Sequence, residues 1–178
     1  ARKRGVERSY GEVIGYGLSG DGYHVTAPDP QGDGAKRAMV SALRTGGLLD
    51  TPEKIDYINA HATSTPLGDR AENFAIKSLF GSKKEQLFVS STKGSIGHLL
   101  GAAGTVESIF TLLAIYHGII PPTLNLDHIG EANGDDKNDF IFNYVPNKAI
   151  KQDIEYAMNN SFGFGGVNAS LCFKKYRQ

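Results

Sequence analysis

The chain has a single cysteine, no surplus of either charge and no long uninterrupted apolar run, and each shortage removes a class of protein. One thiol, Cys172, excludes an internal disulfide. It lies in the alternating segment Ala169-Ser-Leu-Cys-Phe173, which reads as a strand, so it is expected as a small buried hydrophobe rather than a nucleophile. Nineteen basic and nineteen acidic residues cancel, leaving no overall field to draw nucleic acid or an anionic membrane. Glu107 interrupts the longest apolar stretch, so no segment is predicted to span a bilayer. Ala1-Arg-Lys-Arg-Gly5 has charges with no apolar region behind them and is not a secretory signal. It reads as a basic last helical turn stopped by Gly5, which implies that the chain starts inside a larger fold. There is no internal repeat and no low-complexity tract.

What is present fits one globular unit of 178 residues. Residues 12–17 read as a strand and 19–32 as a loop marked by Pro28 and Pro30. A helix over 33–44 follows, with Asp33 as N-cap, an apolar stripe of Ala35, Ala38, Met39, Ala42 and Leu43, and Gly46-Gly47 as its end. Residues 55–60 form a strand, and Pro66 opens a helix whose Leu67, Ala71, Phe74, Ala75 and Leu79 face inward. After a short strand over 87–89, a helix from His98 to about His117 is apolar on nearly every face and is expected between layers. Pro121-Pro122 keeps 119–126 extended, residues 130–139 form a polar loop, and 140–145 and 156–160 read as strands. Alternating strands and helices predict an α/β sheet covered on both faces.

Chemistry gathers where strands end. In Val89-Ser-Ser-Thr-Lys-Gly-Ser-Ile-Gly-His98, Lys93 and His98 sit on a strand-to-helix turn, where free N–H groups and the helix dipole favour an anion and a neutral imidazole. A solvated lysine and a capping histidine would fit the same turn. His61-Ala-Thr-Ser-Thr65 also follows a strand, at the end where open α/β sheets carry their sites. If the two strands are neighbours, two imidazoles and an ammonium surround one volume and can stabilise a developing enolate, as decarboxylation or acyl transfer requires. Thr63 and Thr65 can bind an extended polar substrate or serve the turn. Glu72 either pairs with Lys93 or answers a helix dipole, and Glu107, amid apolar residues, needs a partner. Gly163-Phe-Gly-Gly166 lacks dinucleotide-loop spacing and joins two strands; flanked by Phe162 and Phe164, it reads as a backbone-donor turn with a hydrophobic gate, or as a plain hairpin.

Asn59-Ala-His-Ala-Thr-Ser-Thr-Pro-Leu-Gly-Asp69, Ser90-Ser-Thr-Lys-Gly-Ser-Ile-Gly-His-Leu-Leu-Gly-Ala-Ala-Gly104, Pro121-Pro-Thr-Leu-Asn-Leu126 and Asn160-Ser-Phe-Gly-Phe-Gly-Gly166 together resemble the C-terminal half of a β-ketoacyl-acyl carrier protein synthase. These are elongating condensing enzymes of type II fatty acid synthesis, and Gly17-Leu-Ser-Gly-Asp21 with His61-Ala-Thr-Ser-Thr65 looks closest to mitochondrial members. The resemblance spans residues 1–178 and implies a thiolase-like α/β half: a mixed sheet covered by helices, with a buried central helix. It implies an acyltransferase acting by decarboxylative Claisen condensation. His61 and His98 match the active-site histidines, Lys93 the active-site lysine, and Glu72 the acid supporting it. Thr63 and Thr65 match threonines on the phosphopantetheine arm, and Phe162 the gating phenylalanine whose N–H serves the oxyanion hole, beside Gly163 and Phe164. Asn59, Ala60, Glu107, Asn159 and Asn160 resemble positions holding a monovalent cation in some members.

No tightly bound cofactor is implied, only the phosphopantetheine of acyl carrier protein as carrier, with malonyl and acyl thioesters as substrates. A homodimer is implied, in the mitochondrial matrix, with plastid or bacterial cytoplasm as alternatives. The family's nucleophilic cysteine belongs to the N-terminal half, so this chain alone is expected to be inactive and to expose a large apolar patch. A non-catalytic binding or dimerisation module is the alternative. A thiolase-like cleavage enzyme fits less well, because no cysteine stands where thiolases use one.

Overall fold

The computed structural model describes residues 5, 9–130 and 139–177. The basic turn expected before Gly5 and nearly all of the polar loop over 130–139 lie outside the described residues.

Strand β1 (Glu12–Gly20) and helix α1 (Asp33–Thr45) form the first unit. They touch main chain to main chain, because a Cβ on Gly15 would sit 2.3 Å from the Ala42 carbonyl and one on Gly17 2.0 Å from that of Ala38. Only glycine permits that approach. The predicted stripe of α1 is buried as expected. Asp33, however, is not the N-cap: Gly32, with φ of 65°, holds that place, and its carbonyl accepts the Lys36 N–H at 2.8 Å. The ladder therefore begins one residue early, and Asp33 in the first turn accepts a 2.6 Å bond from Arg37 Nε.

Next come β2 (Tyr57–Asn59), α2 (Pro66–Phe80), β3 (Phe88–Ser90), the single turn α3 (Lys93–Ile96) and α4 (Ala103–His117). The chain closes with β4 (Ile119–Ile120), β5 (Ile150–Lys151), β6 (Tyr156–Gly163) and β7 (Val167–Lys174). The main sheet is mixed and five-stranded, in the order β1-β7-β6-β2-β3: β1, β7 and β6 run antiparallel, and β2 is parallel to both β6 and β3. The strand expected over 140–145 is reduced to one bridge from Asn143 to Phe88. Val145, at φ of 51°, leaves the extended region and stops the pairing there.

On one face α1 and α2 close a core of Met39, Leu43, Ile58, Ile76, Phe80 and Leu87. Leu67 is not part of it; 58% exposed, it lines the cavity described below. On the other face α4 packs Ala114 and Ile115 over Tyr57, Ala157 and Phe173. The long helix expected from His98 starts instead at Ala103, because Gly97 (φ 76°) and Leu100 (φ 50°) break the spiral and only a 3-10 turn, Leu100–Ala102, joins them to it. The segment Leu100–His117 reaches, by length and a mean hydropathy of 1.2, what a membrane crossing needs, contrary to the sequence expectation. One glutamate does not pull an 18-residue average down far enough. It lies along the sheet with Glu107 buried beneath it, although only 28% of the segment is buried.

Nor is α4 buried all round. Ile109 and Tyr116 on its outer side are 51% and 40% exposed. Beyond its edge, Tyr16 and Leu18 of β1 and Val167 of β7 stand 62%, 67% and 65% exposed. Alternation puts these strand residues on the face opposite α1. The apolar patch expected from the sequence is therefore present.

Candidate active site

Parallel β2 and β3 release the chain at the same edge of the sheet, and β6 enters its glycine-rich turn beside them. That shared edge brings His61, after β2, against His98, after α3: their ring centroids are 5.3 Å apart, edge to face. Phe162 near the end of β6 lies 5.9 Å from the His61 ring. Both histidines, with Thr63, Thr65, Phe162 and Phe164, line a cavity of about 980 Å³.

The imidazoles differ. His61 is half-buried, its Nδ1 has no partner among the described residues, and burial, then the charges of Lys93 and His98, pushes its pKa down to about 3. It is neutral at any physiological pH. His98 is exposed in this chain, and its Nδ1 accepts the Leu100 N–H at 3.3 Å, which leaves the proton of the neutral ring on Nε2.

Behind the rings sit two buried acids. Glu107 Oε1 takes a 2.5 Å bond from Lys93 Nζ, with both side chains at 5% exposure or less. Burial raises the Glu107 pKa, and the bond from Lys93 works against that rise. Lys93 therefore pairs with Glu107, not with Glu72 as expected. The reason is topological: Glu107 lies on the buried stripe of α4, whereas Glu72, on α2, covers the opposite face of the sheet. Glu72 instead accepts main-chain N–H groups, His61 at 3.0 Å and Ala62 at 2.8 Å, and Asn160 Nδ2 at 3.0 Å. Burial raises its pKa, and these donors oppose the shift. Nearby, burial and then the charge of Glu72 push Asp69 up to about 6, against the N–H groups of residues 63–65.

The Thr63 and Thr65 hydroxyls share a 3.1 Å hydrogen bond at the cavity rim. Gly163 ends β6, and the following turn carries Phe164 at 82% exposure. Phe162, by contrast, packs on the core and pairs with Asn168 in the β6/β7 ladder. Of the two rings, Phe164 is the exposed one and Phe162 the one held against the core. Sequence reading missed Asp21. Its Oδ1 accepts Asn168 Nδ2 at 2.5 Å and its N–H donates to the Gly166 carbonyl at 2.8 Å, tying the loop after β1 to the glycine-rich turn. The partners are 147 positions apart, and no local pattern announces them.

Among the expected cation residues, Asn59 Oδ1, Asn159 Oδ1 and Glu107 Oε2 are buried acceptors without partners among the described residues, and Asn59 and Asn159 are register neighbours on β2 and β6. Such oxygens suit a hard monovalent cation. Asn160 does not join them, since its amide is committed to Ser170 and Glu72. No cluster of three or more His, Cys, Asp or Glu suited to a metal ion occurs among the described residues. Cys172 is fully buried on β7, and burial pushes its thiol up to about 12, which makes it a core side chain as expected.

A mixed sheet with helices on its faces and two histidines meeting at one sheet edge, one after β2 and one after α3, is the C-terminal half of a thiolase-like condensing fold. A β-ketoacyl synthase from Burkholderia phymatum superposes on 99% of this chain with a TM-score of 0.87 at 37% identity, over 40% of its own length. A type II polyketide ketosynthase, solved in complex with its acyl carrier protein, does so over 99% of this chain with a TM-score of 0.88 at 30% identity, over 41% of its length. The chain belongs to the β-ketoacyl synthase family, whose C-terminal domain matches residues 10–127. It is 52% identical over 176 residues to a 3-oxoacyl-acyl carrier protein synthase 2 of Rhizobium meliloti, covering 99% of this chain and 39% of that protein. It is 51% identical over 179 residues to the mitochondrial 3-oxoacyl-acyl carrier protein synthase of Arabidopsis thaliana, covering 97% of this chain and 36% of that one. The chain thus spans about two fifths of the length of these relatives.

Proposed function

We propose that this chain supplies the decarboxylation half-site of a 3-oxoacyl-acyl carrier protein synthase that elongates fatty acyl chains. The observation that carries the reading is the 5.3 Å approach of two imidazoles delivered by separate strand ends into one cavity. The malonyl carboxylate leaves as carbon dioxide, and the electrons of the broken C–C bond pass to the thioester oxygen as an enolate. His98 Nε2–H and the neutral His61 ring hydrogen-bond that oxygen, the type of preorganised donor pair that lowers such a barrier. The enolate carbon then attacks the acyl carbon of a thioester on a cysteine elsewhere in the protein, whose thiolate is expelled. Lys93, held by Glu107, keeps positive charge beside the departing carboxylate. Thr63 and Thr65 bind the phosphopantetheine arm of acyl carrier protein, with Gly163 and Phe164 at the acyl side of the rim. A monovalent cation held by Asn59, Asn159 and Glu107 would offset their buried oxygens, with no part in the bond changes.

The exposed apolar face around Tyr16, Leu18, Val167 and Ile109 supports an N-terminal half packed against it within a homodimer. The same face also favours the second reading, a non-catalytic module that binds or dimerises through this surface. Mitochondrial and bacterial synthases among the relatives support the mitochondrial matrix or a bacterial cytoplasm as its compartment. The test uses the full-length protein carrying this segment and measures carbon dioxide release from malonyl-acyl carrier protein. His61→Ala and His98→Ala each lower it by about 10²–10⁴ while acylation of the nucleophile persists. Equal loss of both partial reactions overturns the assigned roles, and no release by the unaltered protein favours the module.

A further inference from the structure

The ring of His61 is placed without a hydrogen bond of its own among the described residues. Nδ1 is buried and unpartnered among the described residues, and the rings of His98 and Phe162 flank it at centroid distances of 5.3 and 5.9 Å. Its position is therefore set through its main chain, and what holds that main chain is Glu72, whose carboxylate takes the N–H groups of His61 and Ala62.

Glu72 is itself aimed by a relay on the same face of the sheet, beneath α1 and α2. Asn160 Nδ2 donates to Glu72 Oε1 at 3.0 Å, and Ser170 Oγ donates to Asn160 Oδ1 at 2.8 Å. Asn160 and Ser170 are register partners on β6 and β7, and both, like Glu72, are buried at 4% exposure or less. The direction of the relay matters. An amide can present either its oxygen or its nitrogen to a neighbour, and only the nitrogen suits a carboxylate. The Ser170 hydroxyl, by giving its proton to Oδ1, fixes the amide with its NH₂ toward Glu72. Turned the other way, the amide would set its oxygen against a carboxylate oxygen in a dry site, an arrangement with no compensating donor.

We infer that Ser170 and Asn160 are positioning residues for decarboxylation, holding His61 in register with His98 through Glu72. The inference rests on the half-site function proposed above. Neither residue lines the cavity, and Ser170 stands in no local motif that would single it out.

The test again uses the full-length protein and follows the two partial reactions separately. Ser170→Ala lowers kcat for malonyl decarboxylation about tenfold, with KM and the rate of nucleophile acylation each within about twofold. Ser170→Thr, which keeps the hydroxyl and suits a strand, recovers most of the lost rate. Asn160→Leu, which removes the amide, lowers the same kcat by about 100-fold. If Asn160→Leu fails to fold, the Ser170 pair decides. A Ser170→Ala protein that melts earlier but loses both partial reactions by the same factor, or whose rate Thr does not recover, overturns the inference and leaves the relay merely structural. An unaltered protein that releases no carbon dioxide overturns the function instead, so the two failures are distinct.

Discussion

The two arms of the site solve one problem in different ways. Behind His61, a buried carboxylate, Glu72, is met by neutral donors: two main-chain N–H groups and an amide. Behind His98, a buried carboxylate, Glu107, is met by a full positive charge on Lys93. The first arrangement fixes the main chain at His61, whose ring is held neutral by burial and then by the charges of Lys93 and His98. The second keeps a cation beside the cavity without leaving it unpaired in a dry place.

The largest break in this comparison comes from uncoupling the ion pair. Lys93→Met leaves Glu107 charged, buried and alone, and costs about 3–5 kcal/mol of stability, read from the urea midpoint. Removing both partners, in Lys93→Met with Glu107→Leu, costs less than removing the lysine only, because no stranded charge remains. The dipole-based arm is sharpened by Asp69, beside Glu72. Its folded-state pKa, about 6, lies above the usual 3.8, so its stabilising contribution is present at low pH and lost as pH rises from 3.8 through about 6. Asp69→Asn removes that dependence, and above pH 6 the variant gains up to about 2 kcal/mol relative to its own value at pH 4, compared with the parent protein. Melting temperatures across that range check it. The smallest effect belongs to the linker of the second arm. Leu100 holds φ of 50° at 77% exposure, and Leu100→Gly stabilises by about 0.5 kcal/mol, the relief of a left-handed conformation less the added chain entropy. A lowered urea midpoint would show that this leucine is not strained.

Much of this was legible in residue order. The apolar stripe of α1, the strands leading to His61 and Lys93, and the convergence of both histidines follow from periodicity and from the habit of α/β sheets to gather chemistry at one edge. What failed to show was whatever depends on which face an element covers. Glu72 and Glu107 both stood within reach of Lys93 as letters, and only the placement of α2 and α4 on opposite faces chose between them. The start of α4 was misplaced because a run of apolar residues continues through Gly97 and Leu100, whose left-handed backbone leaves no mark on hydrophobicity. Phe162 and Phe164 are two positions apart on one strand and its turn, and their difference, one held against the core and one exposed, is invisible to pattern.

The contact of β1 with α1 through Gly15 and Gly17 has a bearing on the cavity mouth. Where two main chains press together with no side chains between them, they form a rivet, and residues 21–32 are strung between β1 and α1 like a strap fastened at both buckles. Such a strap can be restyled in composition to suit a differently shaped guest while the frame that carries the histidines stays as it is.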